Sequence, residues 1–437
     1  MDPFIAAIAL ACFFCASLAI ILYPQVGLLL LATTVAIDWH FPASPNFFSL
    51  AGIQIKLSDV VVVLLTPGLA WGLFSKKGRL RFTASVGGVL ALMGVLLMSL
   101  VSGIRFYGLG TAVNEARSWI YIIIVALWCG YAQRGRKWRT SVENFVVWTG
   151  VAVSFIWGLN TLQYGFGGAS GYVGARELFG QQIEVGRATS SGQTIFLAAS
   201  AVIALHKFRD SQSLRHLALS GIFISIVLLA QHRSVWIAAG IMLFVYTVRT
   251  YRHKIGVILF AAIGATLAYT LLRAGFAETV GENLTGSATD TRTFEGRVYD
   301  WVYSLRELAA NGFYRIFFGW DFGRGYERIR EDGLLIEYIP HSWYVGTLLR
   351  SGVVGLLGGL IWVASILRNE YFNRQAAIAL PILVGLLAYS VSYNLQWYLA
   401  PLLVLTSIYN LDSDSKANAV SARQRAEGDF QHDRAHA

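Results

Sequence analysis

Histidines and arginines carry most of the chemistry open to this chain. His341 follows Pro340 and immediately precedes an apolar run that opens at Trp343. An imidazole ordinarily titrates near neutrality, so one at such a membrane edge suits general-base work on a hydroxyl. The competing reading is a histidine that hydrogen-bonds the first turn of the following helix. Arg233 lies in Gln231-His232-Arg233-Ser234, a tight junction between two apolar runs, and Arg187 stands just before the run that opens at Gly192. Planar guanidinium groups grip phosphate oxygens two at a time. Taken singly, each arginine is better explained by snorkelling to lipid headgroups or by pairing with an acid. Several converging at one membrane level point instead to an anionic ligand such as a lipid diphosphate.

The elements that must position these groups are membrane spans. The 437 residues are 55% hydrophobic and only 14% charged, against about 25% charged in a typical soluble protein. That much apolar surface cannot all enter a globular core, so the expected fold class is an all-α polytopic membrane protein. Apolar runs predict twelve or thirteen transmembrane helices, at about 4–22, 26–38, 58–75, 84–103, 113–132, 142–163, 192–206, 217–231, 234–248, 255–274, 343–366, 376–394 and 396–410, with the short second run of doubtful independence. The N-terminal run lacks a basic flank and a small-residue cleavage site, and reads as a retained helix. Residues 1–411 form the transmembrane domain, 275–341 a large loop within it, and 412–437 a polar tail expected to be disordered and cytoplasmic.

Charge sets the orientation. The formal net charge is +10, but 11 of the 25 acids lie between Gly275 and His341 beside 7 basic residues, so that segment carries −4. Five basic clusters mark loops separated by pairs of spans: Lys76/Lys77/Arg79/Arg81, Arg134/Arg136/Lys137/Arg139, Lys207/Arg209/Arg215, Arg249/Arg252/Lys254 and Arg368/Arg374. All five can therefore face the cytoplasm together, as the positive-inside rule asks, and nucleic acid is excluded as a partner. The same parity puts 38–57, 103–112, 164–191, 231–233, 275–341 and the turn near Gln396 on the outer side. Lys56, Arg105, Arg117, Arg176, Arg187, Arg233, Arg273 and Arg350 are the bases left over, each needing a partner or a purpose. Asp59 and Glu115 stand near span ends as expected partners for Lys56 and Arg117. The glycine-rich 164–191 is expected to be irregular.

Within the large outer loop, Gly296–Ala310 puts Val298, Trp301, Val302, Leu305, Leu308 and Ala309 on one helical face and Arg297, Asp300, Ser304 and Glu307 largely on the other. That predicts an amphipathic helix over the membrane mouth. Other templates fail: there is no HExxH, no G-K-[ST] and no carboxylate or histidine cluster inside a span, so no metal and no cofactor is expected. Cys12, Cys15 and Cys129 lie in apolar runs and read as small hydrophobes.

His341-Ser342, nine residues, Gly352, two residues and Gly355 match H-[NSQ]-x9-G-x-x-[GTY]. This arrangement resembles the O-antigen ligases, the related membrane O-oligosaccharyltransferases and the polysaccharide polymerases. The order of parts is similar too: Arg187-Ala188-Thr189-Ser190-Ser191-Gly192, the Gln231–Trp236 junction, then Gly296-Arg297-x3-Trp301 ahead of the histidine. The resemblance is firmest over about 187–360.

It implies a metal-independent, inverting GT-C-type glycosyltransferase of the bacterial inner membrane, with its active site facing the periplasm. The donor would be an undecaprenyl-diphosphate-linked glycan and the acceptor a hydroxyl of lipid A–core. His341 would be the base, and Arg187, Arg233 and Arg297 would hold the donor diphosphate. Two alternatives stay open. One is a repeat-unit polymerase for O-antigen or exopolysaccharide; the other is a transporter or flippase of lipid-linked sugars. A translocator would need accessible charge in mid-span, whereas here polar groups concentrate at the outer mouth.

Overall fold

The computed structural model describes residues 3–37, 48–74, 84–131, 136–164, 174–178, 181–185, 188–250, 292–329, 335–337, 340–372 and 377–405. The protein is mostly helical. Five helices are long and apolar enough to cross a membrane: Leu57–Phe74, Val86–Tyr107, Leu109–Gly130, Lys137–Leu162 and Trp343–Arg368. They lie within α3 (Leu57–Phe74), α4 (Ala84–Tyr107), α5 (Leu109–Tyr131), α6 (Arg136–Tyr164) and α12 (Trp343–Phe372). A sixth span is reached if α1 (Pro3–Leu22) and α2 (Pro24–Ile37) count together, but they bend by 113° at Tyr23, where Pro24 bars the preceding residue from continuing the helix.

This is an all-α polytopic membrane architecture with fewer qualifying spans, among the described residues, than the twelve or thirteen apolar runs. The difference has two sources. The run at 255–274 lies outside the described residues, and the run at 396–410 is described only to residue 405. Others form helices that are short or flanked by charge: α7 (Ser191–Ser211), α8 (Leu214–Leu229), α9 (Arg233–Thr250) and α13 (Ala379–Ser392). Of these, α7 is buried at every residue from Gly192 to His206, as expected for a helix that is apolar all round and enclosed by neighbours. It packs against α6, α8 and α9, while α9 packs against α13 and α12 runs along α4. Gly88 and Gly358 let the last pair touch backbone to backbone: a Cβ on Gly88 would stand 2.5 Å from the Gly358 carbonyl oxygen.

Between these helices lie three antiparallel hairpins, β1–β2 (Phe48–Leu50, Ile53–Ile55), β3–β4 (Gly174–Leu178, Gln181–Val185) and β5–β6 (Glu327–Ile329, Leu335–Glu337). The second falls where irregular backbone was expected; there Arg176 pairs with Ile183 and Glu177 with Gln182. The amphipathic helix is present as α10 (Arg292–Ala310), followed by the short α11 (Phe313–Phe318).

Hydrogen bonds tie alternating helix ends into one face. Asn160 Nδ2 at the end of α6 donates to Ala188 O before α7. Gln193 Nε2 donates to Val35 O at the end of α2, and Trp343 N to Tyr393 O. At the opposite ends, Glu143 meets both Arg139 (3.4 Å) and Lys207 (3.7 Å). Two of the basic clusters therefore share one end of the bundle, away from His341, as the parity of the loops requires.

Candidate functional site

The candidate residues gather around a tyrosine that no motif marks. Tyr393 follows the last residue of α13 in an extended conformation. Its ring lies edge-on to His341 (centroids 6.1 Å apart) and to His232 (6.4 Å), and stacks on Tyr389 at 5.1 Å. The Arg297 guanidinium stands over the same ring, 4.8 Å from its centroid. These separations suit attractive aromatic and cation–π contacts.

The backbone around Tyr393 fixes the same partners. Ser392 O accepts from Arg297 Nη1 at 3.1 Å. Asn394 Nδ2 donates to Pro340 O at 2.9 Å, and Tyr393 O accepts from Trp343 N at 3.2 Å. Three consecutive residues thus hold Arg297 and grip the chain on both sides of His341. Both His341 and Arg297 are half-buried. Among the described residues Arg297 has no carboxylate partner, and its Nε is buried without an acceptor.

The two remaining arginines frame this centre differently. Arg233 is the first residue of α9, half-buried beside His232. The turn before it is tight because Gln231 adopts a left-handed conformation (φ 57°) and His232 O accepts from Val235 N and Trp236 N. His232 Nε2 is 3.0 Å from Thr189 O, bringing this turn to the chain that enters α7. Arg187 lies outside the described residues. The Ser190 of its motif is the N-cap of α7, in a reciprocal capping box with Gln193. Ser191 Oγ is 3.1 Å from Tyr389 Oη, linking that entry to the ring stack.

One expected pairing needs correction. Glu115 does not pair with Arg117: it pairs with the buried Arg350 and accepts from Gly323 N at 2.6 Å. Arg117 instead meets Asp59 at 3.2 Å, which also caps α3 by accepting from Lys56 N at 2.6 Å. Arg350 and Arg117 are therefore structural cations, not ligand-binding ones. The facing of the amphipathic helix, which its two-sided pattern left open, is set by its contacts. Its Asp300, Ser304 and Leu308 are buried, while Val298 and Val302 are exposed. The polar face, with Arg297, turns inward because it finds acceptors at the end of α13.

Arg350 organises the segment between α11 and β5. It donates to Tyr326 Oη (2.8 Å), Asp321 O (2.6 Å) and Gly325 O (2.8 Å), besides Glu115. Burial pushes the Tyr326 phenol up to about 12. Nearby, Arg315 pairs with Asp321 at 2.6 Å, and that hydrogen bond raises its pKa further. Two residues after Arg350, Gly352 of the histidine motif breaks α12 with φ 60° and ψ −167°. A Cβ there would meet Phe317 C and O at 2.2 Å, so the motif glycine answers to the docking of α11.

Sequence reasoning missed Ser392, Tyr393, Asn394 and Tyr389. A faint signal exists: Tyr389–Asn394 is the polar end of the apolar run at 376–394, just before the turn near Gln396 that parity puts outside. Compared with protein-family models and with curated proteins, the chain matches none.

Proposed function

We propose that this protein is a membrane glycosyltransferase that moves a glycan from a polyprenyl (undecaprenyl) diphosphate to an acceptor hydroxyl on the periplasmic side of the bacterial inner membrane. The observation that carries the reading is the shared ring. Arg297, a guanidinium with no carboxylate partner among the described residues, stands 4.8 Å over Tyr393, and His341 rests on the same ring at 6.1 Å. An anion site and a base thus adjoin at the helix-end face, with Arg233 and the entry to α7 beside them.

The chemistry follows from those roles. The acceptor oxygen attacks the anomeric carbon as its proton passes to the His341 imidazole. The bond from that carbon to the diphosphate oxygen breaks, and the electron pair leaves with the diphosphate. Arg297 and Arg233, with Arg187, stabilise the charge that develops there. A single displacement inverts the anomeric centre. The bilayer holds the donor's lipid and narrows its search to the membrane surface.

The test is reconstitution of the purified protein with undecaprenyl-diphosphate glycan and either lipid A–core or a second lipid-linked glycan. Transfer to lipid A–core makes it a ligase, and extension of the second glycan makes it a polymerase. Movement of the donor across the bilayer with no transfer to either would replace the reading by a translocator.

A further inference from the structure

We infer that Tyr393 is a positioning residue, whose ring couples the occupancy of the Arg297 anion site to the placement of His341; this rests on the glycosyltransferase reading above. The ring contacts Arg297, His341, His232 and Tyr389 together, at centroid distances of 4.8, 6.1, 6.4 and 5.1 Å. Its rear support is firm, because Tyr389 is fully buried and hydrogen-bonds Ser191 at 3.1 Å. Its backbone neighbours are anchored on both sides of His341 through Pro340 O and Trp343 N. The ring can therefore move little without moving the histidine.

The coupling is electrostatic as well as steric. A cation over a ring face is held by the ring's quadrupole. When a diphosphate draws the guanidinium toward its oxygens, that contact loosens and the ring edge facing His341 readjusts. Nothing in this mechanism needs the phenol hydroxyl, so phenylalanine should replace tyrosine, whereas leucine, similar in burial but without a quadrupole or a flat edge, should not.

Two measurements on the full-length purified protein test this. With lipid-linked donor and acceptor, Tyr393→Phe should keep kcat within about twofold, and Tyr393→Leu should lose about 10- to 100-fold in kcat, with a displaced pH profile and an unchanged thermal midpoint. Separately, in protein labelled at histidine, inorganic pyrophosphate should shift the His341 ring resonance in the wild type and Tyr393→Phe but not in Tyr393→Leu. Equal shifts in all three, or none in the wild type, would overturn the inference, as would a phenylalanine variant as impaired as the leucine one. If the wild type transfers no glycan but the resonance pattern holds, the coupling stands and the transferase reading falls.

Discussion

Arg350, with no exposed surface, donates to the Glu115 carboxylate across 235 residues of chain. The pair joins the first turns of α5 to the loop between α11 and β5, since Glu115 also takes Gly323 N and Arg350 takes two carbonyls of the same loop. A buried guanidinium in this setting is stable only because every direction it points in holds an acceptor or a ring.

Arg350→Met should accordingly destabilise the protein by about 3–5 kcal/mol, because it strands the Glu115 charge. The double variant with Glu115→Gln should lose less than the two singles added together. Thermal unfolding in detergent measures both. Additive losses would mean that the two side chains do not act on each other.

His341→Ala should reduce glycan transfer by about 10²–10⁴-fold, the usual worth of a positioned general base, with membrane insertion and donor binding intact. Assays of purified protein with lipid-linked donor check it. Undiminished transfer would remove His341 from the chemistry.

Arg297→Ala, Arg233→Ala and Arg187→Ala should each weaken donor binding well beyond Lys76→Ala, which belongs to a basic loop cluster. Because guanidinium groups supply the positive charge, transfer should also survive a chelator. Equal losses in all four variants would reduce the effect to general attraction between a basic protein and an anionic lipid.

Gly352→Ala should cost about 1–3 kcal/mol, since the backbone there is left-handed and the methyl group meets the Phe317 carbonyl. The loss should be accompanied by faster proteolysis near α11. An alanine variant as stable as the wild type would show that α11 does not dock as described.

Much of the candidate site was legible before any coordinates. His341 and Arg297 each lie within a spaced pattern, and the structure brings them to one ring. Arg233 announced itself by its setting in a junction too short to be a domain. Tyr393 and Asn394 gave no such notice, because their importance comes from contacts with Arg297 and Pro340, 54 or more residues away. A polar break at a helix end is common, and only its neighbours make this one different.

The sequence by itself determined that the chain belongs in a bilayer and that its basic clusters recur at every second loop. Both follow from the cost of burying charge in hydrocarbon, which acts on composition and spacing alone. It also determined that α10 has two unlike faces. Only the tertiary structure decided which face turns inward, because that depends on the acceptors waiting at the end of α13. The same holds for the cations. Arg117, Arg350 and Arg233 look alike in the sequence as bases outside the five basic clusters, and Arg297 as one of seven bases in an acidic loop. Two of them are committed to Asp59 and Glu115, partners 58 and 235 residues distant. No local pattern encodes a pairing of that range.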